Sequence, residues 1–110
     1  MKPSNVIFAD GKLEKDFEEL KRGRFEDKNL YSSMEKAILD LKQNPMCGKK
    51  IPKKLWPSAY LAKYGITNLW KYNMPSAWRL IYIIQTDDVM ILSIIFEWFS
   101  HKDYEKRFGY

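Results

Sequence analysis

The sequence predicts an α+β fold: an N-terminal strand and a helical hairpin packed on an antiparallel β-meander, followed by a short C-terminal helix. Three observations carry that expectation. Residues 69–99 read LWKYNMPSAWRLIYIIQTDDVMILSIIFEWF, three runs rich in Trp, Tyr, Ile, Leu and Phe broken at Pro75-Ser76 and at Thr86-Asp87-Asp88. That is the composition of strands joined by tight turns. Upstream, apolar residues recur at helical spacing in two consecutive stretches, and their stripes need an apolar surface that only the meander offers. Downstream, Ser100-His101-Lys102-Asp103 has the spacing of a helix start.

The strands are expected near 69–74, 78–85 and 89–98. With two three-residue loops, Trp70, Tyr72, Met74, Trp78, Leu80, Tyr82, Ile84, Met90, Leu92, Ile94, Phe96 and Trp98 share one face, because successive side chains alternate. The other face collects Lys71, Asn73, Arg79, Gln85, Ser93 and Glu97 beside Leu69, Ile81, Ile83, Val89, Ile91 and Ile95. Sliding one hairpin by a residue scatters the polar groups over both faces, so this register is favoured. The sheet then has an apolar packing face and a partly polar working face.

Taken in order, residues 5–8 form a short apolar run suited to an edge strand. Leu13, Phe17 and Leu20 mark a first amphipathic helix, capped near Asp10 and ended by Gly23. Leu30, Met34, Ala37, Ile38 and Leu41 mark a second, from about Asp27 to just before Asn44-Pro45. Pro45, Gly48, Pro52 and Pro57 punctuate a non-helical segment carrying Lys49, Lys50, Lys53 and Lys54. Residues 59–66, with Tyr60, Lys63 and Tyr64, fit either a helical turn or an irregular strand. In the terminal helix His101, Tyr104 and Phe108 fall on one side, and Gly109 ends it.

The chain of 110 residues is expected to be one domain, 1–110. Its single cysteine, Cys47, excludes an internal disulfide and fits a reducing compartment. The acidic first twenty residues carry no apolar core of a signal peptide, and the longest apolar run, 89–96, is far too short to span a bilayer. A cytoplasmic protein with no membrane partner is expected. The net charge of +5 suggests an anionic partner, nucleic acid before membrane. Lys49, Lys50, Lys53 and Lys54, with Lys63 and Lys102, are the candidate RNA contacts, although a lysine-rich loop is equally at home as a solvated one.

With one histidine and one cysteine, no metal site is expected, and the scattered glycines cradle no phosphate cofactor. A Cys47–His101 nucleophile pair has no signature around it. What remains is the set Lys71, Arg79, Glu97, His101 and Tyr104. Metal-free phosphodiester cleavage needs a base for the 2′-hydroxyl, an acid for the leaving 5′-oxygen and fixed cations for the charge that develops on phosphorus. Glu97 or His101 suits the base, His101 or Tyr104 the acid, and Arg79 with Lys71 the electrostatic clamp; Tyr104 also suits stacking on an unpaired base. Each has a structural alternative: Glu97 as ion-pair partner of Arg79, Tyr104 packed under the sheet, and His101 as a surface residue.

The segments Ala37-Ile38-Leu39-Asp40-Leu41 with Asn44-Pro45 and Gly48, Tyr64-Gly65-Ile66-Thr67-Asn68-Leu69-Trp70-Lys71-Tyr72, Trp78-Arg79-Leu80-Ile81-Tyr82 and His101-Lys102-Asp103-Tyr104 resemble the RelE/ParE superfamily of toxins of type II toxin–antitoxin systems, on the RelE mRNA-interferase side. The resemblance implies a ribosome-dependent endoribonuclease that cuts mRNA in the A site and is neutralised by a RelB-like antitoxin, with no small-molecule cofactor. It matches Lys71 to a basic residue on the family's second strand, Arg79 to the arginine of the third, Tyr104 to the C-terminal aromatic, and His101 to the C-terminal histidine of histidine-using branches. The chain departs from RelE at Asn73 and at Glu97, Trp98, Phe99 and Ser100, where RelE carries basic residues. Alternatives on the same fold are a ParE-like inhibitor of DNA gyrase and a non-catalytic module that binds RNA or an antitoxin.

Overall fold

The computed structural model describes residues 2–109. In chain order it comprises β1 (Ser4–Phe8), α1 (Gly11–Glu19), α2 (Phe25–Gln43), β2 (Lys49–Lys50), α3 (Ser58–Tyr64), β3 (Trp70–Asn73), β4 (Arg79–Thr86), β5 (Ile91–Phe99) and α4 (His101–Phe108). The five strands form one sheet in the order β1-β5-β4-β3-β2. The antiparallel meander β3-β4-β5 is its centre; β2 extends one edge antiparallel, and β1 the other edge parallel to β5. No helix among the described residues is long and apolar enough to cross a membrane.

The helical hairpin forms as its periodicity dictates. The Asp10 carboxylate accepts the Leu13 N–H at 2.9 Å, which caps α1, and a single 3₁₀ turn carries the chain on to Gly23. At the start of α2 the Asp27 carboxylate accepts the Arg24 N–H at 3.0 Å. Met34, Ala37 and Leu41 are wholly buried against Leu80, Tyr82 and Ile95 of the sheet. Phe17 stacks on Tyr31 with ring centroids 4.6 Å apart, which locks the two helices together.

The β3–β4 half of the expected register holds, because its loop is Pro75–Ala77 and the Met74 N–H bonds to the Trp78 carbonyl at 2.9 Å. The β4–β5 half is corrected. Its connection is four residues, 87–90, closed by Asp87 accepting the N–H groups of Val89 and Met90. The extra residue turns Ile95 and Ser93 toward the helices and Ile94 and Phe96 away, the reverse of expectation. A β-bulge then restores the phase: Ile81 pairs with Glu97 and Tyr82 with Ile95, leaving Phe96 as the additional residue. Glu97 and Trp98 therefore stand on the expected faces, whereas 91–96 do not.

The second face is also corrected from a partly polar working face to a covered one. Ile51, Tyr60, Ile66, Leu69, Ile81, Phe96, Tyr104 and Phe108 form a second buried cluster beneath α3 and α4. The segment 59–66 resolves as helix through Tyr64, within α3, which Gly65 ends in the left-handed conformation (φ 58°) that glycine adopts without strain.

Candidate functional site

The pairing registers place Lys49, Lys71, Ile81 and Glu97 abreast across β2, β3, β4 and β5, with Asn73, Arg79 and Phe99 in the neighbouring row. Lys49 reaches that row because Tyr82 anchors the loop before it, donating from its hydroxyl to the Pro45 carbonyl (2.7 Å) and accepting the Gly48 N–H (3.2 Å). Burial drives the Tyr82 phenol above its ordinary range, so it stays a neutral donor. A Cβ at Gly48 would fall 2.6 Å from the Lys71 carbonyl, so only glycine permits this approach.

The helix α4 brings Tyr104 down onto the row. Its N-terminus is capped by Ser100, whose hydroxyl accepts the Asp103 N–H at 3.4 Å. Lys71 Nζ donates to the Tyr104 hydroxyl at 3.4 Å and lies 5.3 Å from its ring centroid, while Arg79 Cζ lies 5.8 Å from the same ring. Tyr104 is 3% exposed and stacks on Phe108 at 4.6 Å. It thus packs under its neighbours and holds two cations by cation–π attraction; it presents no face on which a base could stack.

Lys49 and Lys71 are directly opposite on adjacent strands, an arrangement that costs stability for like charges. Among the described residues no carboxylate stands within ion-pair distance of Lys49, Lys71 or Arg79. Arg79 Nη1 donates to the Trp78 carbonyl at 3.2 Å, and its buried Nε has no hydrogen-bond partner. Among the described residues the cluster is therefore positive and without a compensating carboxylate.

Glu97 belongs to a different group. It accepts the Tyr60 hydroxyl at 2.6 Å and faces Arg107 at 3.5 Å, with Ile81 between it and Lys71. Arg107 in turn lies over the rings of Tyr60 (5.8 Å) and Phe99 (5.5 Å). Burial, then the hydrogen bond to Glu97, pushes the Tyr60 phenol well above its usual range, so Tyr60 donates as a neutral group. Glu97 docks α3 and α4 onto β5 and is not the ion-pair partner of Arg79. Tyr60 and Arg107 were not anticipated from sequence; no local motif distinguishes them.

His101 does not share the buried side of α4 with Tyr104 and Phe108. It is exposed, its Nε2 2.5 Å from Glu105 Oε1 one turn along. That partner was legible as an i,i+4 pair in the terminal helix. Of the six candidate RNA-contact lysines, Lys49 alone joins the cluster. Lys50 pairs opposite Trp70 and so points to the other face, Lys53 and Lys54 sit exposed in a 3₁₀ turn, Lys63 lies 5.2 Å from the Tyr64 ring on α3, and Lys102 is exposed in the first turn of α4. The structure thus gathers Lys49, Lys71, Arg79 and Tyr104, leaves His101 at the rim one turn from Tyr104, and sets Glu97 apart. Such an arrangement can bind a phosphodiester through fixed cations and exchange protons at an exposed imidazole. Searches of protein-family models, curated proteins and solved structures return no match to this chain.

Proposed function

We propose that this chain is a toxin of a type II toxin–antitoxin system, a cytoplasmic endoribonuclease that cuts mRNA in the ribosomal A site by metal-independent attack of the 2′-hydroxyl. The observation that carries the reading is the trio Lys49, Lys71 and Arg79, without an ion-pair partner among the described residues and with Lys71 and Arg79 held against Tyr104 of α4. In this reading the 2′-oxygen attacks phosphorus as its proton passes to a base, and the 5′-oxygen leaves as it gains one, giving a 2′,3′-cyclic phosphate and a 5′-hydroxyl. Arg79 and Lys71 stabilise the phosphorane charge. His101, oriented by Glu105, carries the proton. The same positive row suits an acidic RelB-like antitoxin, whose carboxylates would neutralise it.

The test is cleavage of ribosome-bound message by the purified protein, with products mapped at their 5′ ends. Cuts in the A-site codon are expected, with cyclic-phosphate ends, and they persist in excess EDTA when a polyamine keeps the ribosomes intact. Message left whole on active ribosomes overturns the reading. A second reading, a module that binds RNA without cutting it, is favoured by the burial of Tyr104 and the occupied carboxylate of Glu97; binding without cleavage is its signature. Unchanged gyrase supercoiling is expected under either.

A further inference from the structure

Beside α4 lies an open groove of about 590 Å³ whose walls include Ser58 of α3, Phe99 of β5, and Asp103, Lys106 and Arg107 of α4. We propose that this groove is a nucleobase subsite: an unpaired RNA base stacks on the Arg107 guanidinium while the phosphate of the same strand sits on Arg79. This rests on the RNA-binding reading above and adds the base contact to it.

Four features converge on the assignment. First, the Arg107 guanidinium is already fixed as a platform, with the rings of Tyr60 and Phe99 beneath it and Glu97 at its edge. Its side chain is 37% exposed and lines the groove, so a face remains open. A planar guanidinium is a stacking surface for splayed bases, and pre-ordering it removes the entropy cost of immobilising a long side chain. Second, Phe99 is the direct cross-strand neighbour of Arg79. Arg107 lies over the ring of Phe99, so the stacking platform and the cation rest on neighbouring positions of adjacent strands. Third, among the described residues no carboxylate stands within ion-pair distance of Arg79, so its guanidinium charge is left for an anion. Fourth, the exposed Asp103 carboxylate on the groove wall accepts hydrogen bonds only, so it favours an exocyclic amino group over uracil, whose one N–H lies between two carbonyl oxygens that a carboxylate repels.

The experiment measures binding of the full chain to short oligoadenylate and oligouridylate over a range of salt. The wild type is expected to prefer oligoadenylate. Arg107→Lys keeps the charge and loses the plane, so affinity should fall about tenfold while the salt slope is unchanged, because stacking releases no counterions. Arg79→Gln should instead lower the slope by about 0.7, the signature of one lost phosphate contact on a single strand. Asp103→Asn, at an exposed position that does not threaten folding, should erase the preference for oligoadenylate. Wild-type affinity in Arg107→Lys, a loss there that merely follows the salt slope, or an intact preference in Asp103→Asn overturns the subsite, as does failure of the wild type to bind either RNA. Base-selective binding without any message cleavage overturns the nuclease reading and leaves the subsite standing.

Discussion

Arg79 and Glu97 stand on the same face of the sheet, yet their surroundings give them opposite duties. Among the described residues Arg79 has no acidic partner, whereas Glu97 is engaged by a phenol and a guanidinium. Arg79→Gln should therefore depress single-turnover cleavage by roughly two to three orders of magnitude at every pH, as loss of a preorganised charge does. On the nuclease reading, His101→Gln should flatten one limb of the pH–rate profile, the mark of a residue that takes or gives a proton in the reaction. Glu97→Gln should lower the melting temperature and leave the shape of that profile intact, since it loosens the docking of α3 and α4. A flattened limb in Glu97→Gln, with the melt unchanged, would return Glu97 to proton transfer and refute its structural role.

At the scale of elements, the β3–β4 hairpin carries the clearest local conflict. Ser76 and Ala77 both adopt positive φ, 60° and 62°, at the tip of a tight turn. That geometry suits the strand twist but normally calls for Asn-Gly, because a Cβ at positive φ costs about 1 kcal/mol. Ala77→Gly should thus stabilise the protein by about 0.5–1 kcal/mol and raise the melting temperature by a few degrees; a calorimetric scan showing a decrease would contradict the strain. The existence of this turn was legible in Pro75-Ser76, as were the Asp10 and Ser100 caps and both helical stripes, because each depends on residues adjacent along the chain. The bulge at Phe96 was not. It arises from the four-residue loop upstream and from the need to seat Ile95 under the helices and Phe96 against Tyr64, whose ring centroid is 4.0 Å away.

For the whole molecule, stability should narrow at both ends of the pH scale for identifiable reasons. The hydrogen bond from Tyr72, then that from Lys36, holds the Asp40 carboxyl below its ordinary value of 3.8, and the N–H groups of Met90 and Val89 do the same for Asp87. A carboxylate depressed on folding contributes stability above its unfolded pKa and loses it as pH falls through the folded one. The melting temperature should therefore hold down to about pH 5 and drop below about pH 4, and Asp40→Asn should be less stable than wild type at neutrality with the gap closing in acid. At the alkaline end, Tyr60, Tyr72 and Tyr82 are all raised above 10.0, burial being the first cause in each. Their contribution is present below pH 10.0 and declines as pH rises through the folded values. Ultraviolet titration should leave these three of the seven tyrosines un-ionised until the chain unfolds; a single step near pH 10.0 with native circular dichroism would count against their burial.

By itself the sequence determined the α+β fold, the two helical stripes, the capped terminal helix, the apolar inner face of β3 and β4, and the placing of Lys71 and Arg79 on one side of the sheet. Those features follow from local periods, turn residues and alternation, which act over a few neighbours. Tertiary structure alone decided that both faces of the sheet are covered, that Tyr104 lies beneath Lys71 and Arg79, that Glu97 answers to Tyr60 and Arg107, and that Lys49 stands beside Lys71 while Lys50 turns away. These depend on where α3 and α4 land and on a loop length and a bulge that shift β5 by single residues. A one-residue shift reverses every side chain it reaches, and the energy that selects it comes from contacts between segments far apart in the chain.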